Sequence, residues 1–395
     1  MSQPHRVRVA VTGLGAITAV GPDLPSTWQA LLAGRSGIQH HPPSGRTAAA
    51  VLDFDPTVHI EPRRAAQLDR TGQLALVAAR EAWSMAGLPA GNPHRRAAIL
   101  GAAIGLVTLD ESYLRLYGDK NPRVHPFTVP RAMPSGPTSA VCNEFGLRGP
   151  SFAVASACAS AAHAIAQATM VIRTGLADVV VTGGSDASLV PGMMRAWEAL
   201  RVLSPDVCRP FSQGRLGLVL GEGAGVLVLE SWEHATARGA TILAEMAGCG
   251  MTSDAGDLTA PDPEGAAAAM RGALDDAGLA PSEIGYVNAH GTGTRLNDRM
   301  ESIAMQAVFG EGAPPISSSK GAIGHTLVAA GGIEAVITVL ALRDGILPPT
   351  VNFSTADPEC PVDPVPEARQ TALRAALSNS FAFGGLNATL LFRTP

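Results

Sequence analysis

Four short stretches of this 395-residue chain carry side chains that could do chemistry together. In VASACASAAHAIAQA, residues 154–168, Cys158 sits among small residues between a strand-like run and an alanine-rich helix. A cysteine among alanines is ordinarily a small buried hydrophobe. At the first turn of a helix, however, exposed N–H groups and the helix dipole favour the thiolate, and a lowered pKa makes the sulfur a nucleophile. Ala157, Ala159 and Ser160 leave room for a substrate to approach, whereas His163 reads as structural. In VNAHGTGTRLND, residues 287–298, His290 ends an apolar run and is followed by Gly291, Thr292, Gly293 and Thr294. It either faces a cavity that holds an extended ligand or is satisfied by backbone in the core. In SSSKGAIGHTLVAAGGIEA, residues 317–335, Lys320 and His325 occupy a glycine-rich turn before a helix carrying Glu334. If Lys320 is buried it needs a partner, and Glu334 is the candidate. In SNSFAFGGLNATLLF, residues 378–392, Gly384 and Gly385 interrupt a strand so that backbone N–H groups can approach a ligand.

Cys158, His290 and His325 would suit a zinc ion by type, but no local pair such as H-E-x-x-H accompanies them. A Cys-His hydrolase needs one histidine and a third group to orient it. Two histidines beside separate glycine turns suit another task, the stabilisation of a thioester-derived enolate oxygen in a dry pocket.

The elements that must hold these residues alternate between strand and helix. RVRVAVTGLG is a strand leaving through Gly13 and Gly15; Thr18 and Gly21 break the dinucleotide-binding fingerprint. TWQALLAGRSGI reads as a short helix, residues 40–60 as a proline-rich surface loop, and Asp69–Ala86 as a helix stopped at Gly87. Helix, A-G-L, proline and strand then recur: once before RRAAILGAAIG, and again from AAAAMRGALDDA into IGYVNAHGTGT. A second echo pairs the Cys158 segment with the His325 segment, each a strand, a small-residue turn and a helix. Two echoes in one order predict a duplicated α/β unit, with halves 1–240 and 241–395 and mostly parallel sheets covered by helices.

Composition narrows the function classes. A net charge of −5 gives no basic stripe for nucleic acid, and no apolar run is long enough to span a membrane. The first residues lack the apolar core and cleavage site of a signal peptide. Cys142, Cys158, Cys208, Cys249 and Cys360 are scattered without a C-x-x-C pair, which fits a reducing cytoplasm.

Taken together, the motifs resemble those of the β-ketoacyl-acyl-carrier-protein synthases, condensing enzymes of the thiolase superfamily. The resemblance runs through VAVTGLGAITAVG, SACASAAH, CRPFSQGRLGLVLGEGAGVLVLE, NAHGTGTRLND, SSSKGAIGHTLVAAGG and NSFAFGG. It implies an α/β thiolase-like five-layer αβαβα fold of two duplicated halves, assembled as a dimer, and a decarboxylative Claisen condensation. It assigns Cys158 as the acyl-accepting nucleophile, and His290 and His325 as the pair supporting malonyl decarboxylation. Lys320 and Glu334 order the site, and the N–H groups of Cys158 and Phe383 form the oxyanion hole, with Phe383 as a gate. Thr292 and Thr294 match the threonines near the pantetheine arm. That arm belongs to an acyl carrier protein, so no metal and no cofactor of the chain's own is expected.

RPFSQGRLGL departs from the usual R-P-F-D-x-x-R-D-G-F at Ser212, Leu216 and Leu218, and FAFGGLN departs at Ala382 and Leu386. These changes surround the gating loops and favour a specialised polyene, polyunsaturated-acyl or type II polyketide pathway over primary fatty-acid elongation. The stretch from Gly183 to Ser212 particularly resembles ketosynthases of rhizobial nodulation-factor synthesis. Trp197 and Ile104 are expected on the acyl-pocket wall, although Trp197 alternatively packs at the dimer interface. Arg63, Arg64 and Arg201 are candidates for meeting an acidic carrier protein. The partner subunit is a second copy or a chain-length factor. Among rivals, a chain-length factor usually lacks the nucleophilic cysteine, and a thiolase would carry a second cysteine near FAFGGLN. A thioester hydrolase would consume no malonyl group.

Overall fold

The computed structural model describes residues 7–119 and 123–395. The first strand was expected from Arg6, which lies outside the described residues; the chain is extended as β1 from Val9 to Ile17. It continues through helix α1 (Arg70–Ala86), strand β2 (Arg96–Ala102), strand β3 (Phe152–Val154), helix α2 (Ser160–Arg173), strand β4 (Val179–Asp186) and strand β5 (Gly223–Ser231). After a short helix at Trp232–Ala237 come β6 (Ala244–Ser253), α3 (Pro263–Ala277), β7 (Tyr286–Asn288), α4 (Arg295–Phe309), β8 (Ile316–Ser317), α5 (Ala330–Asp344), β9 (Ala375–Ala382) and β10 (Leu386–Arg393).

The duplication is visible in the strand order, β8-β7-β9-β10-β6-β1-β5-β4-β2-β3. Read outward from the centre, the two sets of five repeat each other. In each, the first strand pairs antiparallel with the last, the last pairs antiparallel with its neighbour, and the two outer pairings are parallel. The halves join where Ala10 and Val11 pair with Glu245 and Ala244. The sheets are therefore mixed, not mostly parallel as the alternating pattern suggested. β10 reverses because the chain turns back from β9 within three residues, with Gly384 at φ 84° and Gly385 at φ 69°. A side chain at Gly385 would also run into Asp254.

The helices α2 and α5 pack against each other and touch strands of both halves. α1 covers the outer face of the first half, and α3 with α4 that of the second, which makes five layers. Position explains composition here. All thirteen residues of α5 from Ala330 to Leu342 are buried, so the helix is apolar on every side, with Glu334 its only ionisable group over that span. α1 and α3 are amphipathic, are capped by Asp69 and Asp262, and stop at left-handed Gly87 and Gly278. The expected loop at 40–60 instead contains a small hairpin, Gln39–His41 with Arg46–Ala48, and a helical turn at Pro56–His59. No helix among the described residues is long and apolar enough to cross a membrane.

Candidate active site

Cys158, Lys320 and His325 all lie just ahead of the central helices. Cys158 stands two residues before α2, and His325 five residues before α5. Each turn contains a non-glycine residue forced into the left-handed region three residues before its helix, Ala157 at φ 48° and Leu327 at φ 48°. His290 follows β7 by two residues. The duplicated architecture thus brings turns more than a hundred residues apart in sequence to one point.

The three reactive groups meet there. The Nε2 of His325 is 3.1 Å from Cys158 Sγ. The rings of His290 and His325 are edge-on at 5.3 Å, and donor atoms of all three residues lie within 4.8 Å of one another. All three are buried. They form the floor of a cleft of about 550 Å³ whose walls include Trp197, Thr292, Thr294, Phe381 and Phe383.

Burial dominates the electrostatics. The Cys158 thiol is pushed up to about 11, because desolvation outweighs the Lys320 charge and the backbone N–H groups of Phe383 and Cys158. This reverses the thiolate expected from the start of α2. Burial outweighs the start of α2, where the N–H groups of Ala159 and Ser160 are in any case spent on the carbonyls of Ser156 and Ala157. Both histidines are held well below the ordinary imidazole range, by desolvation first and then by Lys320, with His325 also acting on His290. They are neutral. Leu327 N–H donates to Nδ1 of His325 at 3.3 Å, so the single proton of the neutral ring belongs on Nε2, facing the sulfur. The Nδ1 of His290 is buried without a partner among the described residues.

A soft metal could span three such donors. On His325, however, it would need the Nε2 lone pair and hence a proton on Nδ1, where Leu327 N–H already points. The donor set fits a hydrogen-bonding site better than a zinc site.

Lys320 and Glu334 form a buried ion pair, and Lys320 Nζ also donates to the His290 carbonyl at 2.5 Å. Burial pushes the Glu334 carboxyl up while Lys320 opposes it. Thr292 and Thr294 share a 2.9 Å hydroxyl contact on the cleft wall. Trp197 also lines the cleft, its ring nearly parallel to that of Phe383 at 5.9 Å.

Of the remaining expected residues, only Arg201 lines the cleft. Ile104 is 43% exposed and outside the cleft, because β2 ends at Ala102 and the chain turns away toward a helix at Leu106–Tyr113. Arg64 is occupied by an ion pair with Glu144 and a 3.1 Å bond to the Ala140 carbonyl. Arg63 is exposed, and Arg201 is exposed at the cleft mouth.

Sequence reasoning missed two carboxylates of α4. Glu301 accepts from the N–H groups of His290 (2.9 Å) and Gly291 (2.8 Å) and from Asn379 Nδ2 (3.2 Å). Burial raises it to about 7. Asp298 accepts from Phe211 N–H at 2.8 Å and Gly293 N–H at 3.1 Å, and pairs with buried Arg215. Together they shape the His290 loop and tie it to RPFSQGR. Their signal was in the sequence: Asp298 in the first turn of a helix directly after a glycine-rich turn, with Glu301 one turn further on the same face.

This nucleophile, paired neutral histidines and duplicated five-layer architecture define a thiolase-fold condensing enzyme. The chain belongs to the β-ketoacyl synthase family: the models of its N-terminal and C-terminal domains match residues 6–235 and 243–354. Nodulation protein E of Rhizobium sp. (strain N33) is 48% identical over 98% of this chain and 99% of its own. The 3-oxoacyl-[acyl-carrier-protein] synthase 2 of Staphylococcus aureus (strain MRSA252) is 41% identical over 100% and 99%. Among solved structures, the ishigamide ketosynthase/chain length factor superposes with a TM-score of 0.94 at 35% identity, covering 99% of this chain and 100% of that one. The type II polyketide ketosynthase AntDE, described in complex with its acyl-carrier protein AntF and bound to the hexaketide, gives 0.90 at 31%, with 99% and 100% coverage. The chain is accordingly a 3-oxoacyl-carrier-protein synthase, an acyltransferase that forms carbon–carbon bonds.

Proposed function

We propose that Cys158, His290 and His325 carry out decarboxylative condensation in a specialised acyl or polyketide pathway. Cys158 takes the acyl group from one carrier thioester, releasing the carrier thiol. The malonyl group of a second carrier loses CO₂, and the enolate oxygen is stabilised by His290 and by Nε2–H of His325. The enolate carbon attacks the acyl carbonyl, whose oxygen is held by the N–H groups of Cys158 and Phe383. Collapse expels the Cys158 thiolate, which is reprotonated. Lys320 and Glu334 position the His290 loop, and Thr292 and Thr294 line the path of the pantetheine arm. No metal or cofactor of the chain's own enters these steps.

The 3.1 Å approach of a neutral His325 to Cys158 Sγ, beside His290, carries this reading. An imidazole that donates through Nε2 suits an oxyanion better than it suits removal of a thiol proton. The specialised pathway is favoured by Leu216, Leu218 and Leu386 at the gating loops and by similarity to nodulation protein E.

The acyl carrier protein is the partner we assign to the cleft mouth, with Arg201 beside it. A second subunit, another copy or a chain-length factor, fits the outer end of this sheet: β3 is an edge strand, and Ile104, Tyr113, Leu114 and Tyr117, in the segment that follows its neighbour β2, are exposed. Ile104 would reach a pocket only from such an interface. We place the enzyme in the cytoplasm, in keeping with its five free cysteines.

The test is incubation with acyl and malonyl carrier proteins, following CO₂ and the 3-ketoacyl product. Wild-type protein is expected to yield both and Cys158→Ala no condensation product. Full condensation by Cys158→Ala would overturn the assignment.

A further inference from the structure

Asp186, the last residue of β4, is a buried carboxylate that the condensation steps do not use. It lies close enough to Cys158 for its charge to oppose the thiolate. Its Oδ2 accepts from Val328 N–H at 3.4 Å, Ser188 also bonds to the carboxyl group, and Oδ1 has no partner among the described residues. β4 runs directly beneath the Val328 turn: a side-chain carbon at Gly184 would come within 3.0 Å of the Val328 carbonyl oxygen.

That turn is costly to hold. Leu327 is left-handed at φ 48°, a conformation that its Cβ disfavours. Its neighbour's N–H is buried and needs an acceptor. Consecutive amides therefore point at two different groups, Leu327 N–H at Nδ1 of His325 and Val328 N–H at Asp186. The His325 backbone is separately anchored, its N–H on the Val219 carbonyl and its carbonyl on Gly221 N–H, so the ring itself stays in place if the following turn moves. What the turn controls is which ring nitrogen carries the proton.

We propose that Asp186 is a positioning residue that clamps the Leu327–Val328 turn and so keeps the His325 proton on Nε2, aimed at Cys158 and the reacting oxygen. Without an acceptor at 186, Val328 N–H is orphaned, the left-handed turn relaxes, and Leu327 N–H leaves Nδ1. The Nδ1–H tautomer then becomes accessible and turns a lone pair, not a donor, toward the developing oxyanion. The proposal rests on the role given above to His325.

The test uses the full-length enzyme. Asp186→Leu, close in size but without an acceptor, is expected to lower kcat about tenfold at nearly unchanged KM, the range expected when a positioned oxyanion donor is partly lost. Asp186→Asn keeps a carbonyl oxygen for Val328 N–H and is expected to stay within about threefold of wild type, on the same reasoning. ¹⁵N-histidine NMR, with His325 identified by the signal missing from His325→Ala, is expected to show the Nε2–H tautomer in wild type and Asp186→Asn and a mixture in Asp186→Leu. Asp186→Ala replaces the leucine variant if that one does not fold. An unchanged tautomer in the leucine or alanine variant, or an asparagine variant as slow as the leucine one, overturns the clamp. Wild-type kcat in His325→Ala would instead overturn the underlying role of His325.

Discussion

Replacing Lys320 with methionine tests the electrostatic account of the site most severely. Lys320 and Glu334 each expose only 1% of their side chains, and Glu334 Oε2 has no partner among the described residues even in the wild type. Lys320→Met keeps the length of the side chain but removes the counter-charge and the donor to the His290 carbonyl. A buried carboxylate stripped of its partner costs about 3–5 kcal/mol. The protein reduces that cost by keeping Glu334 protonated, and its pKa, already raised by burial, climbs once Lys320 no longer opposes the shift. A group whose folded pKa lies above its unfolded value leaves stability intact below the unfolded pKa, here about 4.3. Stability is then lost at about 1.4 kcal/mol per pH unit until the folded pKa is passed.

The deficit of Lys320→Met relative to wild type should therefore grow with pH once the wild-type Glu334 pKa is passed, by at most about 1.4 kcal/mol per pH unit and so by at most about 3 kcal/mol between pH 5 and pH 7. Urea unfolding at fixed protein concentration, run at pH 5, 6 and 7 on both proteins, measures it. Adding Glu334→Leu should remove the pH-dependent part and leave a flat loss of about 1–2 kcal/mol from the unpaired His290 carbonyl. A deficit that does not vary with pH, or a double variant no more stable than the single one at pH 7, would refute the reasoning.

The raised thiol predicts that iodoacetamide alkylation of Cys158 accelerates about tenfold per pH unit up to about pH 10, since only the thiolate reacts. A plateau near neutral pH, followed by mass spectrometry of the Cys158 peptide, would show that the substrate-free thiol is already ionised. Glu301→Ala strands the buried N–H groups of His290 and Gly291, and is expected to cost about 2–4 kcal/mol of stability and to lower kcat more than it raises KM. Steady-state kinetics beside urea unfolding check this, and an unchanged kcat would refute it.

Much of this protein was legible before any coordinates. The duplication appeared as repeated helix, A-G-L, proline and strand, because a helix that must stop and feed a strand needs a left-handed glycine, as Gly87 and Gly278 provide. Cys158, His290, Lys320, His325 and Glu334 stood out because each sits in or beside a run of small residues where a lone reactive group has few bland explanations. Strand direction was not legible, since β10 could be told from another parallel strand only by the tight turn at Gly384–Gly385.

The sequence alone determined which groups are present and where each turn stops, for local propensity and apolar periodicity are properties of neighbouring residues. Tertiary structure decided their states. Burial and the charge of Lys320, a partner 162 positions from Cys158 in the chain, set the thiol near 11 and keep both histidines neutral. It also sent Ile104 outside the cleft, occupied Arg64 with Glu144, and brought Glu301, Asp298 and Asp186 to the turns that hold the histidines. Desolvation and pairing depend on what arrives through space from distant segments, and no local reading of the chain contains that information.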